Sequence, residues 1–398
     1  MAATCEKQRE GGGGVVRTGV LRGHAQPVIS AAVEAEHHCV ATGCEEGTVR
    51  IWDVRQRPSR SCGYLSFGGG EREPVGALRF DHEGDGRALL SSVGSRLFST
   101  DLRQLSISVL LSKPAHHTLL GTAPYEVNSF AMAPCRDSIV AALDDGALWL
   151  LDLNAGTGRS LSAHDNICSS VCYAGPSPAT HVYSGGLDGR LLHWQSSSSR
   201  RASSPPAAGA AALLSVVHRH DQMKTPLSRP SSTAGQIVNP PFVHALLSTS
   251  EGDLVVAGLG DGSLVYYRPG AAAELAKLSF HRSCVPALAL IPSSSTVSSP
   301  STLSSGSSRA LISGGTDGAL IISSLPPVPA DVQSPPRGRG ARGHRGKRAG
   351  QGALYRPRKL LSHEHGQKIQ AVCYSEALSN LLVVADLSES PSLYQLRG

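Results

Sequence analysis

Short apolar runs of strand-forming residues, broken by small and turn-forming ones, recur along the whole chain. Examples are PVISAAV (27–33), VRIW (49–52), VGALRF (75–80), ICSSVCYA (167–174), RLLHW (190–194), VPALALI (285–291) and LLVVAD (381–386). Each run has the length and the branched residues of a strand, and none approaches the ~18 apolar residues of a membrane span. Between runs one turn pattern returns. A strand ends in Ser, Thr or Ala, an acidic residue and Gly follow, and an apolar or aromatic residue stands five positions beyond that Gly. The copies are Thr42…Glu46-Gly47…Trp52, Ala141…Asp145-Gly146…Leu151, Ser184…Asp188-Gly189…Trp194, Ala257…Asp261-Gly262…Tyr267 and Ser313…Asp317-Gly318…Ser323. An acidic-Gly pair between apolar runs marks a tight hairpin, because Gly accepts positive φ.

Three copies carry an upstream His: His24, His164 and His281. His24 follows Gly23, and Trp52 precedes Asp53. A Gly-His start and a Trp-Asp end at this spacing resemble the WD40-repeat family, whose repeat supplies four strands to one propeller blade. Two weaker units at 75–103 and 369–398 bring the count to seven, with starts near 24, 74, 126, 164, 240, 281 and 365. The last unit has three strands, and VVRTGVL (15–21) can supply its fourth and close the ring. The expected architecture is therefore an all-β, seven-bladed WD40 β-propeller over 15–398, closed by an N-terminal strand. Residues 1–14 and insertions at 196–235, 293–308 and 326–353 are Ser-, Pro-, Ala- or Gly/Arg-rich and are expected to be disordered, although ALLSVV (212–217) could form an outer strand. Seven blades of ~42 residues use roughly 294 residues, which leaves room for such insertions.

His164, Ser184, Asp188 and Trp194 have the types and spacing of that family's structural tetrad. In it the indole donates to the hydroxyl, the hydroxyl to imidazole, and imidazole to the carboxylate. His24, Thr42 and Trp52, with Glu46 as the acid, form a second set. His281, Ser313 and Asp317 form a third, with Ser323 where Trp would stand. The third and fifth units retain only the acid. A Ser-His-Asp catalytic set is the rival reading of these residues, but the repeat explains them and no G-x-S-x-G elbow occurs. No enzymatic activity, cofactor or metal is expected. The nine cysteines lack zinc-finger spacing and are expected to be reduced and buried in strands. His363-Glu364-His365 has no third ligand and reads as a loop entering the last unit.

Net charge is +6, yet nine basic and no acidic residues lie between Arg337 and Lys359, so the remainder of the chain is net acidic. The core of that segment is Arg337, Arg339, Arg342, Arg345, Lys347 and Arg348. It reads as a nuclear-import signal, a nucleic-acid contact or a solvated loop; no aromatic residue interleaves it, as base stacking would require.

The segment Trp52-Asp53-Val54-Arg55 is followed one unit later by Thr100-Asp101-Leu102-Arg103, so Asp-x-Arg recurs where two successive units end. Blocks 164–173, 184–194, 235–245, 364–372 and 383–396 resemble members of the WD40 family across roughly 24–398. The resemblance implies a non-enzymatic propeller. WDxR-bearing members look like substrate receptors docking on the adaptor of cullin-4 ubiquitin ligases. Here Trp52, Asp53, Arg55, Asp101 and Arg103 would dock, with Thr100 departing from the motif. The expected partners are that adaptor and an unidentified substrate, inside the cell in nucleus or cytoplasm and not at a membrane. The alternatives are an RNA-associated scaffold using the basic segment, or a general assembly scaffold.

Overall fold

The computed structural model describes residues 14–55, 59–67, 72–81, 88–102, 117–175, 181–196, 214–222, 239–292, 309–326 and 357–397. Strand β1 (Gly14–Val20) precedes blade 1, which holds β2 (Val28–Glu34), β3 (Cys39–Cys44), β4 (Thr48–Asp53) and β5 (Arg60–Ser66). Blade 2 holds β6 (Ala77–Phe80), β7 (Ala88–Val93), β8 (Arg96–Asp101) and β9 (His117–Thr122). Blade 3 holds β10 (Val127–Met132), β11 (Ser138–Leu143), β12 (Ala147–Asp152) and β13 (Thr157–Ser162). Blade 4 holds β14 (Cys168–Ala174), β15 (His181–Gly186), β16 (Arg190–Ser196) and β17 (Leu214–Asp221). Blade 5 holds β18 (Val243–Ser248), β19 (Val255–Leu259), β20 (Ser263–Tyr267) and β21 (Glu274–Ser279). Blade 6 holds β22 (Ala287–Ile291), β23 (Ala310–Gly314), β24 (Ala319–Ser324) and β25 (Lys359–Glu364). Blade 7 holds β26 (Ala371–Ser375), β27 (Leu381–Ala385), β28 (Ser392–Arg397) and, as its outer strand, β1.

The first strands of the blades contact one another in cyclic order, β2 to β6, β10, β14, β18, β22, β26 and back to β2. The fold is therefore a seven-bladed β-propeller, and β1 paired antiparallel to β28 closes it. Strand position dictates residue pattern. The second and third strands of a blade are covered on both faces, so SIVAAL and ALWLLD are buried almost throughout. The outer strands TGRSLS and KLLSHE alternate between exposed and half-buried positions.

The apolar core is a set of layers, one at each seam between blades. Leu90 and Leu97 of blade 2 pack with Ile139 and Trp149 of blade 3. Val140 and Leu148 of blade 3 pack with Val171 and Trp194 of blade 4. Val383 and Leu393 of blade 7 pack with Val40 and Trp52 of blade 1. Emptying one such site, as in a Leu→Ala change, costs about 2–5 kcal/mol. The glycines of the five acidic-Gly turns all take the left-handed region, with φ between 74° and 87°.

Three features depart from the sequence reading. The span 196–235 is interrupted by β17, which extends past the suggested 212–217 run. His363 and Glu364 lie on strand β25 and not in a loop, because the blade needs a fourth strand before the chain crosses to β26. The described cysteines are free, but only Cys44, Cys168 and Cys172 are buried, and Cys135 is exposed.

Candidate functional site

The turn preceding each blade delivers one side chain to the seam. In blade 4 this is His164. Its Nε2 lies 2.9 Å from Ser184 Oγ and its Nδ1 3.0 Å from Asp188 Oδ1, while Trp194 Nε1–H donates to the same hydroxyl at 2.9 Å. With the indole donating, the hydroxyl proton points to Nε2 and Nδ1–H points to the carboxylate, so every buried polar atom of the set is used. Burial opposes ionisation of Asp188, but the bonds from His164 and from the Arg190 and Asp165 amides outweigh it and hold the carboxyl below its usual range.

Blade 1 brings together His24, Thr42 and Trp52, with His24 Nε2 and Trp52 Nε1 each 2.7 Å from the hydroxyl. Glu46, the acid assigned here, does not close the set. It accepts from Arg72 at 2.7 Å, and His24 Nδ1 has no partner among the described residues. Burial, aided by the Arg50 charge, pulls His24 down to about 4. In blade 6, His281 lies 2.8 Å from Ser313 Oγ and 3.2 Å from Asp317 Oδ1. Ser323 stands in the Trp position, and Tyr266 of blade 5 packs at that seam with Leu311 and Leu325.

Two further nodes escaped the sequence reading. In blade 7, His365 Nε2 lies 2.6 Å from Asp386 Oδ2 and its Nδ1 2.6 Å from the Tyr394 hydroxyl. Tyr394 pairs with Leu382 as Trp194 pairs with Val182, so it holds the Trp position, and Val384 holds the Ser position. Its phenol reaches imidazole directly and replaces both the indole and the hydroxyl link. In blade 5, Gln222 takes the His place, donating Nε2–H to the Tyr267 hydroxyl at 2.5 Å. Lys277 donates to Gln222 Oε1 at 3.4 Å and pairs with Asp261 at 3.6 Å. The signal for both was present: Tyr267 and Tyr394 stand ten residues after Ala257 and Val384, as Trp52 does after Thr42. Blades 2 and 3 carry Phe67 and Ala123 at the turn position; Ala141 fills the hydroxyl position of blade 3, an apolar version of the same node, whereas blade 2 keeps a buried serine, Ser91, in that register.

The rim residues arrange differently. Trp52 is buried and engaged by Thr42, so it anchors the blade. Asp53, 12% exposed, accepts the Arg55 amide at 3.0 Å and grips its guanidinium through Nε at 2.9 Å and Nη2 at 2.7 Å. The Arg55 guanidinium is the main reason the Asp53 carboxyl sits below its ordinary range. Asp152 of blade 3 caps its turn in the same way, accepting the Asn154 and Ala155 amides. The Asp therefore serves the turn, and Arg55, 60% exposed, is what the motif presents outward. Asp101 ends β8 in the register at which Asp53 ends β4. Arg103 and the basic residues 337–348 lie outside the described residues.

Arg55 borders a groove of about 630 Å³ at the seam of blades 7 and 1. Its walls include Arg22, His38 and apolar Val20, Val54, Leu378 and Leu393, with no acidic residue lining it among the described residues. Among the described residues no cluster of His, Cys, Asp and Glu is arranged to hold a metal ion, and no helix is long and apolar enough to cross a membrane.

A family model described as WD domain, G-beta repeat matches residues 15–53. This stretch runs from β1 to the end of β4, so one sequence repeat supplies the outer strand of one blade and the inner three of the next. That offset is what closes the ring. The WD repeat-containing protein 53 homolog of Dictyostelium discoideum is 23% identical over 268 residues, covering 67% of this chain and 68% of that protein. With the matched repeat, seven four-stranded blades and this relative taken together, the chain is a WD40-repeat protein.

Proposed function

We propose that this propeller is a substrate receptor of a cullin-4 ubiquitin ligase, docking on the ligase adaptor through Arg55. The coarser role is that of the WD40 propellers at large, a non-enzymatic scaffold for protein partners. The observation carrying the finer one is the clamped, outward-facing guanidinium of Arg55 at the edge of a groove that no acidic residue lines among the described residues. A guanidinium held in place loses little conformational freedom on docking and retains a donor for a partner carboxylate or carbonyl. Arg103, two residues after Asp101 in the sequence, is proposed as the second contact.

The test is binding of purified adaptor to the full chain and to Arg55→Ala, with thermal unfolding as the folding control. We expect at least a tenfold weaker affinity for the variant, as for an interface anchor. Unchanged affinity in a folded variant removes the proposal. The basic segment 337–348 is proposed as a nuclear-import signal; a tagged chain lacking it that stayed nuclear would refute this.

A further inference from the structure

The groove beside Arg55 offers more than one guanidinium. Thr18, Gly19 and Val20 of β1 line it, together with Ala377, Leu378 and Ser379 of the turn between β26 and β27. A strand sends alternate side chains to opposite faces, so three consecutive residues on one groove bring the strand's edge to it. β1 is the last strand of its sheet, and among the described residues its outward edge pairs with no strand. An open edge accepts an extended segment as one further strand. A methyl group at Gly19 would lie 3.9 Å from Leu393 Cδ1 and no closer to any other side chain or more distant backbone, so another backbone can approach there.

The walls are held in place. His38 and Ser379 both stand in the left-handed region, at φ 56° and 59°, which a residue with a Cβ rarely adopts. Each is pinned: the His38 carbonyl accepts the Val54 amide at 3.1 Å, and the Ser379 carbonyl accepts Gln395 Nε2–H at 3.2 Å. A segment entering the groove therefore does not have to order its walls.

The charge of the groove has one sign. Arg22 and Arg55 are both exposed and both line it, and no carboxylate does among the described residues. Asp53 takes Arg55 Nε and Nη2, and no described residue takes Nη1. Arg22 makes no hydrogen bond or ion pair among the described residues. Asp386 and Glu389 share an adjoining recess with Arg22, but Asp386 is bonded to His365 and Ser388 and neither acid pairs with Arg22. Guanidinium forks match carboxylates, and a surface of one sign selects a partner of the other. Val20, Val54, Leu378 and Leu393 add an apolar lining for the side chains that are not acidic.

We propose that the groove receives an extended stretch of the ligase adaptor, added as a strand to the edge of β1, with carboxylates on Arg22 and Arg55 and apolar side chains against Val54 and Leu378. This rests on the docking role of Arg55 and adds Arg22 as a further anchor.

The test is calorimetric binding of purified adaptor to the full chain and to Arg22→Ala, Arg55→Ala and Arg219→Ala, each checked by thermal unfolding. Arg219 is exposed on β17 of blade 4, so its variant removes a charge away from the groove. We expect Arg22→Ala to weaken binding about tenfold, as for an interface anchor, and Arg219→Ala to leave it unchanged. Arg22→Glu should weaken it further, and added sodium chloride should weaken binding of the unaltered chain more than that of Arg22→Ala. In the complex the β1 amides should exchange with deuterium more slowly than in the free chain. Loss at Arg55 with none at Arg22 overturns this proposal and leaves the docking reading intact. Loss at neither overturns both, and loss at Arg22 alone overturns the docking reading and this proposal with it. Equal loss at Arg219, binding indifferent to salt, or β1 amides unchanged in the complex also overturns the proposal.

Discussion

A single hydroxyl shows how the blades are held. Ser184 Oγ joins Trp194 Nε1–H to His164 Nε2, and all three are buried. The net worth of each bond is modest, but a buried group left without a partner costs about 1–3 kcal/mol. Ser184→Ala strands two such groups and leaves the ring packing nearly intact. We expect a loss of about 1–3 kcal/mol for each, read from the denaturant midpoint at an unchanged slope. A loss no larger than that of an exposed Ser→Ala change would show that the chain of bonds contributes nothing. The same accounting explains Glu46. Its sequence position suggested the tetrad acid, but position in the repeat does not fix side-chain direction, and Arg72 offers it a charged partner nearer solvent.

At the scale of the blade, one architectural position is filled by three chemistries. The turn residue is His in blades 1, 4, 6 and 7, Gln in blade 5, and apolar in blades 2 and 3, and the facing positions change with it. The Trp-containing and Asp-Gly versions were legible because their spacing is local. Those of blades 5 and 7 were not. Gln222 falls inside the low-complexity stretch 196–235, which hides the repeat boundary, and blade 7 has Asp386-Leu387 where blades 3 to 6 have Asp-Gly. Tyrosine also carries ring and hydroxyl on one residue, so a search for Trp plus Ser passes over it. Tyr394→Phe tests the substitution. It leaves His365 bonded to Asp386 but orphans Nδ1, and it should cost about 1–3 kcal/mol in denaturant unfolding. Tyr64→Phe, on the exposed Tyr64, is the control and should cost almost nothing. Equal effects at the two sites would count against the node.

For the molecule as a whole, the seven-fold ring and its closure by β1 were readable from seven apolar units, one of them a strand short. The groove was not, because it is made by residues from blades far apart in sequence. The buried histidines give the whole fold a pH dependence. Burial lowers His24 and His193 to about 4, from 6.5, and also lowers His181, His220 and His281. A histidine that resists protonation when folded but not when unfolded contributes stability that is complete above about pH 6.5. That contribution drains as pH falls from 6.5 toward 4. Below 3.8 the depressed carboxyls of Asp53, Asp188, Asp317 and Asp386 add their own loss as they protonate. The thermal midpoint should therefore drop steadily between pH 7 and pH 5, before any carboxylate with a lowered pKa titrates. A midpoint flat across that interval would contradict the assignment of these rings as neutral.

The pairing that shuts the ring has a mechanical corollary. Gly14 lies opposite Arg397 and Val20 opposite Ser392, so the outward ends of both strands emerge at the same end of their shared ladder. Tension applied through the two chain ends loads that ladder one rung at a time, in the manner of a zip, and never shears all rungs together. The seam is the weakest line of the molecule under pull, although it resists heat through its buried layer, and a force too small to disturb any other blade would part it first.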